Sequence, residues 1–305
     1  MTDVAADRMG VDRTTTEDEK LLARREPTAF LDSDPWRVLR ITSEFVEGFD
    51  AMAAVGRAVN VPNGIRSKIT AAGMMGTTPP FTFKRPGEPD HAGYDIDLVR
   101  AVAKRLGVAV ETVSLSSAER IPMLKNGQVD FVATSMTRTP ERLRDVDFSV
   151  IYFVTPHAVI VKKSSGITSV HQLAGRKASS ASTSTAGSNL KEVVPSVNIV
   201  YVRDYAVAFA ALKDGSVDAF PTDECVLRAI VQQDGHPDDY LFLPDFAKSR
   251  NVGFALNKDE PRFKEAINRA LLDIEETGEA VRIFDAWFGP DSQEPMQRSF
   301  KIRPD

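Results

Sequence analysis

The run VDFVATSMTRTPERLRDVDFS sets Thr134, Ser135 and Thr137 directly after an apolar stretch, with Arg142 a few residues on. In open α/β sheets ligands gather beyond the carboxyl ends of the strands, so this is where an anion would be received. Arginine suits a carboxylate because its planar fork offers two parallel, charge-assisted hydrogen bonds. The hydroxyls and N–H groups of Ser135 and Thr137 could complete such a cradle. Equally, Arg142 could be a helix-surface charge paired with Glu141 or Asp145. A second anion receiver is offered by STSTAGSNL, a Ser/Thr-rich loop opening a helix at Thr185, where unpaired N–H groups and the positive dipole end seat a carboxylate. The competing role there is an ordinary helix cap. Asp223 ends VDAFPTD and could receive an ammonium group, or cap the helix ECVLRAIVQ that follows. Two anion receivers and one cation receiver are the complement of an amino-acid zwitterion.

Sequence-local catalytic signatures are missing. His91, His157, His171 and His236 are scattered without metal-ligand spacing and read as surface or packed residues. There is no HExxH, no GxGxxG after a strand, no GxxxxGK[ST] and no G-x-S-x-G. No catalytic residue, metal or cofactor is therefore expected, and the chain reads as a binder, not an enzyme. Its 305 residues are about twice the usual single-domain length, so two domains are expected. With 42% hydrophobic and 27% charged residues the composition is that of a globular protein. A net charge of −5 without a dense Lys/Arg stripe argues against nucleic acid as a partner. The single cysteine, Cys225, excludes an internal disulfide and a Cys-rich zinc site.

The elements that must position these residues follow from periodicity. Residues 1 to about 34 are polar and aperiodic, a flexible arm. An amphipathic helix is expected after Asp34 and Pro35, with Val38, Leu39, Ile41, Phe45, Phe49 and Met52 at helical spacing. From about Lys68 helices and strands alternate. ITAAGMMG reads as a strand, GYDIDLVRAVAKRLGV as a helix closed by Gly107, VAVETVSL as a strand and RIPMLKNG as a short helix ending at Gly127. VDFVATSM, GRKASSAS, NIVYV and VDAFPTD are further strands, separated by helices beginning near Thr185 and running through Phe209 and Leu212. This is an α/β chain with mainly parallel sheets. The echo between LKNGQVDFVATS and LKDGSVDAFPTD points to two similar lobes facing one another.

From Lys68 to about Pro290 the chain resembles the periplasmic amino-acid-binding proteins that feed ABC importers, extracellular solute-binding family 3. The resemblance rests on TTPPFTF, GYDIDLVRAVAKRLGV, ERIPMLKNGQVDFVATSMTRTPERLRDVDFS, LAGRK…STSTAGSNL, LKDGSVDAFPTDECVL and FDAWFG. It implies an α/β, two-lobe periplasmic-binding-protein type II fold with two hinge crossings, near Ile151–Pro156 and Asn251–Ala255, closing on a ligand. By the same resemblance Arg142 clamps the α-carboxylate with Thr137 and Thr185, Asp223 holds the α-ammonium and Phe81 covers the ligand. Ser117, Arg120 and Ser135 match residues that glutamate- and aspartate-binding members use, which favours an acidic ligand. Thr183 stands where the family loop carries glycine, and Tyr205 where some acidic-amino-acid binders have histidine. Thr77 and Thr78 stand where some of them have a charged residue. A cyclohexadienyl or arogenate dehydratase is the enzymatic alternative on the same fold.

WRVLRITSEFVEGFDAMAAVG resembles the N-terminal helix of LONELY GUY-type phosphoribohydrolases, without the PGGxGTxxE motif, and reads as a fusion remnant. The expected division is an extension over 1–66, a first lobe over 67–154 completed by 252–305, and a second lobe over 155–251. The resemblance implies an amino acid and an ABC permease in the membrane as partners, a monomer, and a periplasmic or cell-surface location. No stretch approaches the roughly 18 apolar residues of a membrane span. The first residues have no apolar signal-peptide core, so retention in the cytoplasm stands as the alternative location.

Overall fold

The computed structural model describes residues 68–304, apart from positions 75, 76, 86, 89, 247, 293 and 294. The arm, the helix expected after Asp34 and the segment resembling a phosphoribohydrolase lie outside the described residues.

The first lobe opens with strand β1 (Lys68–Met74), a small hairpin sheet of β2 (Thr77–Thr78), β3 (Thr82–Lys84) and β4 (His91–Ala92), and helix α1 (Tyr94–Leu106). Helix α1 forms where periodicity places it. Leu98, Val102 and Leu106 are buried on one face, Asp95 and Asp97 occupy the first turn, and Lys104 and Arg105 the last. Those charges complement the helix dipole, and Gly107 closes the helix in the left-handed conformation at φ 66°. Arg105 then donates to Glu279 (2.6 Å) and to Asp273, tying α1 to two C-terminal helices. Strand β5 (Ala109–Ser114), helix α2 (Arg120–Lys125), strand β6 (Phe131–Val132), the single turn α3 (Arg142–Asp145) and strand β7 (Asp147–Phe148) complete the outward path.

The long strand β8 (Phe153–Lys162) carries the chain into the second lobe, built from β9 (Lys177–Ala181), α4 (Thr185–Val193), β10 (Asn198–Val202), α5 (Tyr205–Asp214), β11 (Ala219–Asp223), α6 (Glu224–Gln233) and β12 (Tyr240–Phe242). Strand β13 (Lys248–Val252) leads back, followed by β14 (Ala255–Leu256), α7 (Pro261–Glu276) and α8 (Glu279–Phe288) in the first lobe.

Sheet order is β5-β1-β6-β14-β7 in the first lobe and β10-β9-β11-β8-β12 in the second, with β13 on β8. The expectation of mainly parallel sheets needs correction. Among the described residues parallel pairing is confined to β1 with β5 and β6, and β9 with β10 and β11. These strands are joined through helices. Strands that travel between the lobes or return from the second pair antiparallel: β8 with β11, β12 and β13, and β14 with β6 and β7. Alternation of helix and strand along a sequence reports the connections and is silent about a strand arriving from another lobe.

The crossing is a ladder from Val252 opposite Phe153 to Lys248 opposite His157. An aromatic cluster anchors its first-lobe end. Phe153 lies 4.8 Å from Phe81, 5.1 Å from Tyr94 and 4.9 Å from Phe300, centroid to centroid. Gly93 lets the turn at Phe81 approach: at φ 134°, an added Cβ would lie 1.9 Å from the Phe81 carbonyl oxygen. Gly93→Ala should therefore lower stability by more than about 2 kcal/mol, read from urea unfolding. A variant within about 0.5 kcal/mol of wild type would show that this turn is not held against α1.

Candidate functional site

Backbone bonds fix the 134–138 loop against the returning strand. Arg138 N donates to Asn251 O (2.9 Å), Gly253 N donates to Met136 O (3.2 Å), and Thr137 bridges to Val252. Arg250, on β13, is thereby set beneath the loop. Its Nη1 donates to Thr137 Oγ1 (2.5 Å), and its Nη2 to Ser135 O (2.8 Å) and Ser135 Oγ. Its Nε forms an ion pair with Asp223 Oδ1. Both side chains are buried, and neither oxygen of Asp223 has a well-aligned hydrogen bond. Burial pushes the Asp223 carboxyl up to about 6, against the opposing pull of Arg250.

Asp223 is the last residue of β11 and stands at the N-cap of α6 without capping it through its side chain. Of the two roles open in the sequence the helix cap is thus set aside, and the partner that the carboxylate has is Arg250. His157 on β8 adds a third partner. Asn189 Nδ2 donates to His157 Nδ1 (2.9 Å), which leaves the ring proton on Nε2, 3.5 Å from Asp223 Oδ1. Burial, then the charges of Arg250 and Arg142, hold this imidazole neutral far below its usual range.

Arg142 is likewise not spent on a surface pair. Its Nη1 donates to Thr137 O (2.7 Å) and its Nη2 reaches across to Thr183 O in the second lobe (2.6 Å). Asp145 pairs with Lys125 at 2.9 Å. Desolvation, then repulsion from Arg120 and Arg250, brings the Arg142 guanidinium down to about 9. Arg120, at the start of α2, donates through Nε to Ser117 O (3.0 Å) and through Nη2 to Ser117 Oγ (2.8 Å) and Thr183 Oγ1 (2.7 Å). Ser117 Oγ also bonds Ser182 O.

On the second lobe Ser184, not Thr185, caps α4, its side chain accepting from Ala186 N (3.3 Å). Thr185 is thus free of the capping role and lies with its Oγ1 3.4 Å from Thr137 Oγ1. Tyr205 opens α5, packs on Phe220 at 6.2 Å, and is close enough to Arg120 and Arg142 to influence the charge of both.

Eight of the nine residues singled out in the sequence thus share one polar cluster where the lobes meet: Ser117, Arg120, Ser135, Thr137, Arg142, Thr185, Tyr205 and Asp223. Phe81 belongs to the aromatic core instead, its ring against Tyr94, Phe153 and Phe288. Three members were not anticipated: Arg250, His157 and Asp95. Asp95 is completely buried and accepts from Ser135 N (2.6 Å) and Tyr152 OH (2.9 Å). It holds Ser135 in a left-handed backbone at φ 48°. Among the described residues no group of three or more His, Cys, Asp or Glu side chains could hold a metal ion.

Two sheets joined by a crossing ladder, with a charged polar cluster at their junction, define a two-lobe binding protein of the periplasmic type II class. Residues 71–290 match the model of the bacterial extracellular solute-binding proteins, family 3, and the chain belongs to that family. It is 31% identical over 226 residues to the ABC transporter glutamine-binding protein of Bacillus subtilis (strain 168), covering 73% of this chain and 82% of that one. It is 26% identical over 293 residues to the glutamate/aspartate import solute-binding protein of Escherichia coli (strain K12), covering 92% and 93%. Among solved structures, an ancestral arginine-binding protein bound to glutamine superposes with a TM-score of 0.69 at 35% identity, covering 74% of this chain and all of that one. The family is extracellular, and no described helix is long and apolar enough to cross a membrane.

Asp95 gives the site a signature in stability. Burial raises its carboxyl to about 7, above the usual 3.8, against the hydrogen bonds from Tyr152 and Ser135. A raised folded-state value means that this group stabilises fully below about pH 4 and loses that contribution as pH rises through about 7. Asp95→Asn removes the titration. The stability of wild type relative to this variant should decline between pH 4 and pH 8 in paired urea titrations. A pH-independent difference would overturn the assignment.

Proposed function

We propose that the chain is the solute-binding component of an amino-acid ABC importer, and that its ligand is an acidic L-amino acid held between the lobes without chemical change. The observation that carries this reading is the charge of the cluster. Two buried guanidinium groups, Arg120 and Arg250, and a half-buried third, Arg142, stand against two buried carboxylates, Asp95 and Asp223. His157 contributes nothing while neutral. Even with both carboxylates ionised, one positive charge is in excess, and burial that pushes both carboxyls up enlarges the excess. A neutral zwitterion leaves the imbalance and a cationic amino acid worsens it. An acidic amino acid, with one net negative charge, removes it.

In this reading Arg142, Thr137 and Thr185 receive the α-carboxylate, and Asp223 receives the α-ammonium at the oxygen away from Arg250. Arg120, Ser117 and Ser135 face the side-chain carboxylate. Tyr205 supplies apolar cover. The likeness to a glutamate/aspartate import protein over most of both chains supports the ligand class, while the glutamine-binding relative supports the wider class of amino acids. The site of action is outside the cytoplasmic membrane, as a monomer delivering to an ABC permease.

Titration calorimetry with L-glutamate, L-aspartate, L-glutamine and L-arginine tests this directly. One of the acidic pair should bind at least about tenfold more tightly than glutamine, since the charge-assisted bonds differ by about 1.4 kcal/mol or more. Preference for glutamine or arginine would discard the acidic assignment and keep the class. Arg142→Ala and Asp223→Ala should each cost on the order of 2–5 kcal/mol of binding energy, because each leaves a desolvated charge without its partner. Unchanged affinity in both would remove these residues from the site.

A further inference from the structure

Among the described residues two that are not glycine hold a left-handed backbone, Ser135 at φ 48° and Thr183 at φ 65°. Ser135 is held there by Asp95 and Arg250. Thr183 is the less expected, because a β-branched residue is the poorest fit to this region and persists there only where its surroundings over-determine it.

What holds Thr183 is a set of bonds to the opposite lobe. Its hydroxyl proton goes to Ser117 O (3.0 Å), so it accepts from Arg120 Nη2 (2.7 Å), while Ser117 Oγ, 2.8 Å away, gives its own proton to Ser182 O. Its carbonyl accepts from Arg142 Nη2 at 2.6 Å. One strained residue of the second lobe thus engages both arginines of the first-lobe rim. The donor that its hydroxyl takes, Arg120 Nη2, is one assigned above to a ligand side chain.

We propose that Thr183 is a specificity-determining residue of the ligand site. Its hydroxyl competes with the side-chain acceptor of the ligand for Arg120 Nη2, and so restrains affinity for amino acids whose side chain reaches that guanidinium. This rests on the amino-acid-binding reading above. A neutral hydroxyl is a weaker partner for a guanidinium than a carboxylate, so the ligand can displace it, but the gain is reduced by the bonds given up. Glycine at this position would keep the same backbone without strain and put no acceptor on Arg120 Nη2.

The test is calorimetry on the full chain with L-glutamate, and with L-alanine as a ligand lacking a side-chain acceptor, for wild type, Thr183→Gly, Thr183→Ala and Thr183→Ser. Loss of the hydroxyl should raise the glutamate-to-alanine affinity ratio by at least about tenfold, the scale of one hydrogen bond to a charged group. Thr183→Ser keeps the hydroxyl and should leave the ratio within about threefold of wild type. Thr183→Ala carries the same expectation as Thr183→Gly, so misfolding of one does not spoil the comparison. If glutamate still binds but the ratio is unchanged, or if the serine variant moves as far as the glycine variant, the proposal fails alone. If wild type binds no amino acid, the underlying reading fails and this proposal with it.

Discussion

A guanidinium buried on a strand that passes between two lobes must be neutralised by what both lobes bring to it, and Arg250 sets that condition here. An unpaired charge in the interior costs several kcal/mol, so its partners are obligatory. The second lobe supplies Asp223 and the first supplies Ser135 and Thr137. The end of β11, the 134–138 loop and the returning strand are therefore held in one arrangement. The other polar groups of the cluster inherit their places from it. Arg142 is aimed through Thr137 O, and His157 is kept neutral in part by the positive charge that Arg250 places beside it.

The same arrangement accounts for where the backbone departs from regular geometry. Ser135 and Thr183 face the junction from opposite lobes, and each left-handed residue is matched by hydrogen bonds that would be lost if it relaxed. Elsewhere the elements follow local preference. Helix α1 carries its charges in the order the dipole favours, and α4 and α5 begin at Ser184 and Asp204, whose side chains accept from the first turn. Local consistency in the lobes and local strain at their junction together mark the junction as the place where function overrides propensity.

Much of this was legible in the sequence because the rules concerned are local. A polar run after an apolar strand marks the end of an α/β sheet where ligands gather, and that rule led to Ser135, Thr137 and Asp223, which the fold brings into one cluster. Helical spacing of Leu98, Val102 and Leu106 found α1. Arg250 escaped because, one residue before the crossing expected at Asn251–Ala255, it stands among Lys248, Ser249 and Asn251, and such a polar run has the look of an exposed edge. His157 escaped as one scattered histidine; its burial comes from pairing with β11, more than sixty residues away. Asp95 lay in full view in GYDID, where the helix dipole is reason enough for an acid in the first turn. Its second task, bracing Ser135, depends on a contact forty positions along the chain. The signal that could have found Asp95 is a charge set between apolar neighbours, Tyr94 and Ile96, whereas KSRNV offers no such contrast at Arg250.

The bonds that Ser117, Arg120, Thr137 and Arg142 make to the second lobe are polar, directional and few. Such contacts contribute individually about 0.5–3 kcal/mol, the upper end for charged partners. The free energy holding the lobes together through them is therefore of the same order as two or three charge-assisted bonds to a small ligand. That equality matters for a protein that must both close and release. A ligand shifts such an equilibrium only by its difference in affinity for the two states, so a junction sealed by a large apolar interface would be indifferent to an amino acid. A junction made of guanidinium, carboxylate and hydroxyl groups responds to a molecule that carries the same groups, because it exchanges one set of charged partners for another.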